Sequence, residues 1–378
     1  MTKYFDRKID SAVLFAQPYY PVTCITGPRQ SGKTSLCKHL FPDYKYVNLE
    51  DLAHRAAATA DPIGFMNSYG TNVIIDEVQH VPQLLSVIQV MVDEDRSRRF
   101  IITGSSNFSL MTTMTQSLAG RVALFTLLPF SLKEIPEETR KQSIEQLMLN
   151  GLYPGVIANG TPHSLFYSNY YNTYVKRDVS DLLKVKNLLH FDTFIRLVAA
   201  RAGSEFNASA IAKEVGVSSV TISEWLSILT SSYITFQVRP YYANISKRLT
   251  KMPKVFFYDT GLLCYLLSIN DSNALAMHPL RGAIFENLAM CELFKQGFNT
   301  GSEPNINFYR EHSGREVDAM VQSNGKYRLY EMKAGQTFQT DYTNNMKYLA
   351  PILKDVESTM VIYDGVSIPP IALNIRDL

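Results

Sequence analysis

Three sets of residues in this sequence have the types and spacing to do chemistry. The first is Gly27-Pro28-Arg29-Gln30-Ser31-Gly32-Lys33-Thr34, which fits G-x-x-x-x-G-K-[ST] at every fixed position. In that pattern Gly27 and Gly32 bring backbone N–H groups close to phosphate oxygens with no Cβ in the way. A helix opening at Lys33 adds unpaired donors and a dipole that favours anions. Lys33 then reaches the β- and γ-phosphates of ATP, the Thr34 hydroxyl holds Mg²⁺, and Ser35 completes the nucleotide-binding run. The alternative is an ordinary glycine-rich strand-to-helix turn. The second set closes the run Asn72-Val73-Ile74-Ile75-Asp76-Glu77. Here Asp76 is expected to help hold Mg²⁺ through its water shell and Glu77 to polarise the attacking water. A solvated strand end is the plainer reading.

The third set lies near the C-terminus. Glu316 to Val321 and Tyr327 to Lys333 read as strands joined by an Asn324-Gly325 hairpin turn. Alternation puts Glu331 and Lys333 on one face, and Asp318 can meet them across the hairpin. An upstream helix starting near Arg281 carries Glu286. Carboxylates plus a lysine in this arrangement suit a Mg²⁺ site, with Glu286, Asp318 and Glu331 as ligands, that activates water against a phosphodiester. The alternative is a set of solvated carboxylates or salt bridges with no cleavage.

Two further stretches bear on the nucleotide. Arg98 to Asn107 reads as a third buried strand ending in small polar residues, with Ser105 and Asn107 as candidates to bond the γ-phosphate or the lytic water. Helix capping is the competing role. Arg121, before the apolar strand Val122 to Leu128, has the shape of an arginine finger acting from its own chain or from a neighbour in a homo-oligomer. Its plainer role is a structural salt bridge.

These residues need elements to hold them. At 378 residues, 46% hydrophobic and 19% charged, with a net charge of +2, the chain suggests two or three globular domains. The four cysteines (Cys24, Cys37, Cys264, Cys291) form no metal or C-x-x-C spacing, which suits a reducing compartment. The opening MTKYFDRKID lacks the apolar core of a secretion signal. No run of about 18 apolar residues is present, so no membrane partner and a cytoplasmic location are expected. Strands near 22–25, 46–49, 72–77 and 98–107 alternate with helices, an α/β core. Phe166 to Leu183 is a helix with a tyrosine face (Tyr167, Tyr170, Tyr171, Tyr174) that reads as packing.

Residues 190–240 read as three helices and a strand. Ser209 is a candidate cap for the second helix, and a turn at Gly216-Val217-Ser218 leads into the third, which is the pattern of a winged helix. The segment 184–254 holds ten Lys+Arg against four Asp+Glu, an excess that leans towards nucleic acid, DNA first. Ser218, Ser219 and Thr221 are the groove-facing positions if it docks conventionally. Against this, Glu224 is acidic and no arginine stands on that helix, so a protein-contact lid is the other reading.

The runs GPRQSGKTSL, VIIDEVQHVPQLL, FIITGSSN and LAGRVALFTLLPFSLKEI, in that order, resemble a prokaryotic family of AAA+-superfamily ATP-binding proteins with a C-terminal domain of unknown function. The resemblance implies ATP binding and hydrolysis but no defined substrate. The C-terminal residues Glu286, Asp318, Glu331 and Lys333 are similar to the metal and catalytic positions of PD-(D/E)xK nucleases, with Val317 where a proline is usual. The expected division is a P-loop AAA+-like ATPase over 1–140, a helical linker and winged helix over 141–250, and a small α/β restriction-nuclease-like domain over 251–378. The expected function is nucleotide-dependent engagement of nucleic acid. A protein-interaction switch with an inactive nuclease-like scaffold is the alternative.

Overall fold

The apolar run Val22–Thr26 forms β1, with every residue buried. It lies between β4 and β5 in a five-stranded parallel sheet in the order β2-β3-β4-β1-β5. Its partners are β2 (Lys45–Asn48), β3 (Asn72–Asp76), β4 (Arg99–Gly104) and β5 (Val122–Thr126). The computed structural model describes residues 4–104, 117–179, 187–242, 251–311 and 313–378, without the side chains of 177–179. Strands buried on both faces carry little alternation, which is why β1, β3 and β4 read as unbroken apolar runs. Val22, Cys24, Val73, Ile75 and Ile102 face one helical layer; Ile25, Ile74 and Ile101 face the other. All four cysteines are buried and free.

Helices in this unit start where side chains satisfy their first N–H groups. Asp51 accepts from Ala53 N and His54 N at the start of Leu52–Ala60, and Asp61 accepts from Gly64 N ahead of Pro62–Tyr69. A 3₁₀ turn over Val78–His80 comes before the helix Leu84–Glu94.

The chain divides into two compact units, one of residues 1–129 with 231–233 and 297–302, the other of the remainder. The second unit holds a seven-stranded mixed sheet in the order β12-β11-β10-β9-β8-β6-β7. Its strands are β6 (Thr235–Pro240), β7 (Lys254–Phe257), β8 (Ile306–Arg310), β9 (Glu316–Ser323), β10 (Lys326–Lys333), β11 (Val356–Tyr363) and β12 (Ala372–Asn374). The expected division near 250 therefore falls between two strands, β6 and β7, that pair with each other. The Asn324-Gly325 turn forms as read, with φ of 50° and 78°, the left-handed pair a type I′ hairpin requires.

Three helices, Leu188–Ala200, Ala208–Val215 and Ser219–Ser231, precede β6. Asn207, rather than Ser209, caps the second by accepting from Ala210 N. The tyrosine face is core: Tyr153, Tyr167, Tyr170, Tyr171 and Tyr174 are buried, and the helix His163–Tyr170 continues as a π-helical stretch, Tyr171–Val179. Pro154, at the first helical position, opens a short helix over Pro154–Ile157. Among the described residues no helix is long and apolar enough to cross a membrane.

Most of the long helix Arg281–Asn299 belongs to this unit. The Asn287 side chain accepts from Phe257 N and donates to Phe257 O, at 2.8 and 2.7 Å. Below it, the buried Lys295 Nζ donates to Glu292 Oε1 at 2.9 Å and to Phe130 O at 2.7 Å. Glu292 Oε2 accepts from Leu132 N at 2.9 Å. Removing one member of such a pair strands the other charge. Glu292→Leu is therefore expected to cost about 3–5 kcal/mol in denaturant unfolding, with much of it recovered in Glu292→Leu/Lys295→Met.

Candidate functional site

Residues 27–32 curl between the end of β1 and the helix Lys33–Leu40. Gly27 has φ of 142° and Gly32 of 97°, backbone that L side chains resist. A Cβ on Gly27 would stand 2.2 Å from Leu127 O, so no other residue fits there. Pro28 and Ser31 are buried, Arg29 and Thr34 half-buried, Gln30 and Ser35 exposed. Lys33 Nζ lies inside the curl and donates to Gly27 O at 3.1 Å and Pro28 O at 2.9 Å. Burial lowers its pKa against the opposing pull of Glu77 and Asp76. The buried Ser31 Oγ has no hydrogen-bond partner among the described residues. A glycine-lined cradle with an enclosed ammonium fits a chain of phosphates.

Beside it stands a buried carboxylate with three hydroxyl donors. Asp76 Oδ2 accepts from Thr34 Oγ1 and from Tyr46 OH, each at 2.7 Å, and Asp76 Oδ1 accepts from Thr103 Oγ1. Burial and the bond to Asp76 push the Tyr46 phenol above its ordinary pKa. Thr34 and Asp76 are thus side by side, as two residues sharing one Mg²⁺ must be. The Glu77 N–H donates to Thr103 Oγ1 at 3.2 Å, and its Oε2 accepts from Gln79 Nε2. Its φ of 56° is left-handed, a strained backbone of the kind found at functional positions.

The structure differs from the sequence reading at several places. Thr103, on β4, makes the contact to Asp76 and Glu77, while Ser105 and Asn107 lie outside the described residues. Its signal was the same polar end of a buried strand. Arg121 is not on this chain's own phosphate loop. Its backbone oxygen accepts from Val22 N at 3.2 Å, at the start of β1, whereas the loop follows the end of that strand. A five-residue strand separates the two by roughly 17 Å. The Arg121 guanidinium grips exposed Asp93 through two bonds of 2.6 and 2.7 Å. A finger role in cis is thereby removed.

In the second unit, the hairpin brings Asp318 and Glu331 together. Asp318 Oδ2 accepts from Met332 N at 2.7 Å, and Lys333 Nζ donates to Glu331 Oε1 at 2.7 Å. Glu286 does not complete a ligand set. Its Oε1 accepts at 3.1 Å from Lys254 Nζ, which also pairs with Glu316. Among the described residues no three Asp, Glu, His or Cys side chains are placed to hold a metal ion. The expected three-carboxylate Mg²⁺ site does not fit, because a lysine absent from the motif stands on one of its members. Burial first, then Asp318, pushes both Glu286 and Glu331 up to about 7.

Ser218, Ser219 and Thr221 sit at the start of the helix Ser219–Ser231. Ser218 Oγ accepts from Thr221 N at 3.0 Å and bonds Thr221 Oγ1 at 2.8 Å, so two of the three are engaged in capping. Of the local basic excess, Arg196 pairs with Asp192 and Arg201 with Glu214.

Known proteins are similar to this chain in three segments. Residues 19–136 match the AAA domain, 141–273 a domain of unknown function (DUF8612) and 281–376 another (DUF4143). An uncharacterised protein of Mycobacterium tuberculosis is 30% identical over 323 residues, 84% of this chain and 71% of that one. One from Methanocaldococcus jannaschii is 23% identical over 371 residues, 89% and 79% of the two chains. Among solved structures, a Walker-type ATPase of Pyrococcus abyssi aligns with 70% of this chain and 96% of its own, at 16% identity and a TM-score of 0.47.

Two measurements check this geometry. Thr103→Val keeps the volume but leaves Asp76 Oδ1 and Glu77 N without their partner; nucleotide affinity is expected to stay within a few-fold while turnover falls roughly 10- to 100-fold. In the second unit, Glu331 takes up its proton well above its ordinary 4.5. The folded chain then holds protons that the unfolded one has lost, so stability falls as pH rises from about 4.5 to about 7. Unfolding across pH 5–8 should show Glu331→Gln losing less stability than wild type, by on the order of 1 kcal/mol or more.

Proposed function

We propose that this chain, which belongs to one family with its mycobacterial relative, is an AAA-type ATPase that binds Mg²⁺·ATP through Gly27–Thr34 and hydrolyses it with Glu77. The observation that carries this is the Asp76 network, which holds the phosphate-loop threonine and the catalytic carboxylate in one rigid group. Lys33 and the loop N–H groups bind the phosphates. Glu77 orients a water and takes its proton as the water oxygen attacks the γ-phosphorus and the bond to the β-phosphate oxygen breaks. Thr34 and Asp76 would hold Mg²⁺, which neutralises charge on the phosphates. Arg121 of a neighbouring copy could supply a finger in a homo-oligomer.

The second unit is proposed to engage nucleic acid under nucleotide control. Support comes from three helices followed by an antiparallel strand pair, a winged-helix-like order, and from Asp318, Glu331 and Lys333 gathered on a nuclease-like hairpin. A specific observation favours the other reading, an interaction switch with an inactive scaffold: Lys254 occupies Glu286, and Arg196 and Arg201 are already paired. One assay separates them. Wild type, Glu77→Gln and Lys333→Ala are incubated with and without ATP on linear, supercoiled and single-stranded nucleic acid at two salt concentrations. Glu77→Gln should retain ATP binding and lose turnover by roughly 10²–10⁴-fold; unchanged turnover removes Glu77 from the mechanism. Binding that weakens steeply with salt supports nucleic-acid engagement. ATP turnover without binding or strand breaks favours the switch.

A further inference from the structure

Four carboxylates and two ammonium groups meet behind the hairpin of the second unit: Glu286, Glu316, Asp318 and Glu331 with Lys254 and Lys333. Lys254 is outside every motif, yet it is the most enclosed of the cations there, 4% exposed. Its backbone is held from both sides, paired with Val238 of β6 and bridged to Glu205. Its Nζ is 5.3 Å from the centre of the Phe308 ring, a face that attracts cations. With Glu286 Oε1 at 3.1 Å and Glu316 also bonded, the ammonium has carboxylate on two sides and an aromatic face beside it. Glu316 is further neutralised by Arg310, at 3.6 Å.

The cluster is uneven in its charges. Lys333 serves Glu331 Oε1, but Glu331 Oε2 is buried and has no hydrogen-bond partner among the described residues. So one end of the cluster has an unused carboxylate oxygen, while Glu286, at the other end, already has its cation.

We propose that Lys254 is a resident cation that excludes a divalent ion from Glu286. This rests on reading the cluster as a nuclease-like site. A divalent ion bound to Glu286 would lie against the ammonium group, and like charges out of water repel strongly. The ammonium is not readily withdrawn, since Glu286 and Glu316 both contact it. Nor can it swing aside, with its stem enclosed and its strand paired. Lys254 thus does at Glu286 the charge neutralisation that the sequence pattern assigned to metal.

The test counts ions in the full chain without nucleotide. Mn²⁺ is titrated by electron paramagnetic resonance into wild type, Lys254→Met and Lys254→Met/Glu286→Gln, with Tm measured at each concentration. Lys254→Met should bind one more Mn²⁺ than wild type, and the double variant should return to the wild-type count. Mn²⁺ should also raise the Tm of Lys254→Met by more than that of wild type. Equal counts in wild type and Lys254→Met overturn the proposal. If Lys254→Met does not fold, Lys254→Gln, which keeps polar contacts to Glu286 and Glu316, carries the same comparison. The nuclease-like reading fails separately: wild type then binds no Mn²⁺ that Asp318→Asn abolishes, whatever Lys254→Met gains.

Discussion

A single buried carboxylate organises the nucleotide-binding unit. Asp76 ends β3 and accepts hydroxyl donors from the helix after β1, from β2 and from β4. Each bond to a charged acceptor contributes about 1.5–3 kcal/mol in such a setting. Their larger effect is geometric, since three neighbouring elements of the sheet are tied at the same end. That end is where the phosphate loop curls and where Glu77 takes its left-handed backbone. The strain at Glu77 is tolerated because Thr103 holds its N–H and Gln79 its carboxylate.

The second unit meets the same physical problem, buried acids, by another route. Here the partners are ammonium groups instead of hydroxyls. A hydroxyl can be exchanged for a metal-bound contact with little change in charge. An ammonium must be displaced outright, against repulsion. This is why the Thr34–Asp76 pair remains compatible with Mg²⁺ while Glu286, gripped by Lys254, does not. On the hairpin side, the buried Glu331 Oε2 has no hydrogen-bond partner among the described residues.

Packing elsewhere follows from similar satisfaction of buried polar groups. Asp259 caps the helix Thr260–Leu266 and accepts from Leu152 N, and burial raises its pKa. Arg376 donates to Asp364 and to two backbone oxygens, Arg140 and Gln142. The bonds to Leu152, Arg140 and Gln142 join residues more than a hundred positions apart in the chain.

The sequence by itself determined the parallel core, the phosphate loop, the Asp76-Glu77 pair and the Asn324-Gly325 hairpin. Each is local: glycine spacing, β-branched runs and period-two alternation act within a few residues. The hairpin even carried Asp318 opposite Glu331, because register follows from the turn. What only the tertiary structure decided depends on partners distant in the chain. Thr103 became the contact to Asp76 because parallel register sets β4 beside β3. Arg121 fell at the wrong end of β1 for the same reason of register. Asn207 displaced Ser209 as a cap through backbone geometry that composition does not encode. Lys254 joined Glu286 because β7 pairs antiparallel with β6 at the edge of the seven-stranded sheet, a placement that no local pattern announces. Charge could be counted along the chain, but which charge neutralises which was settled only by folding.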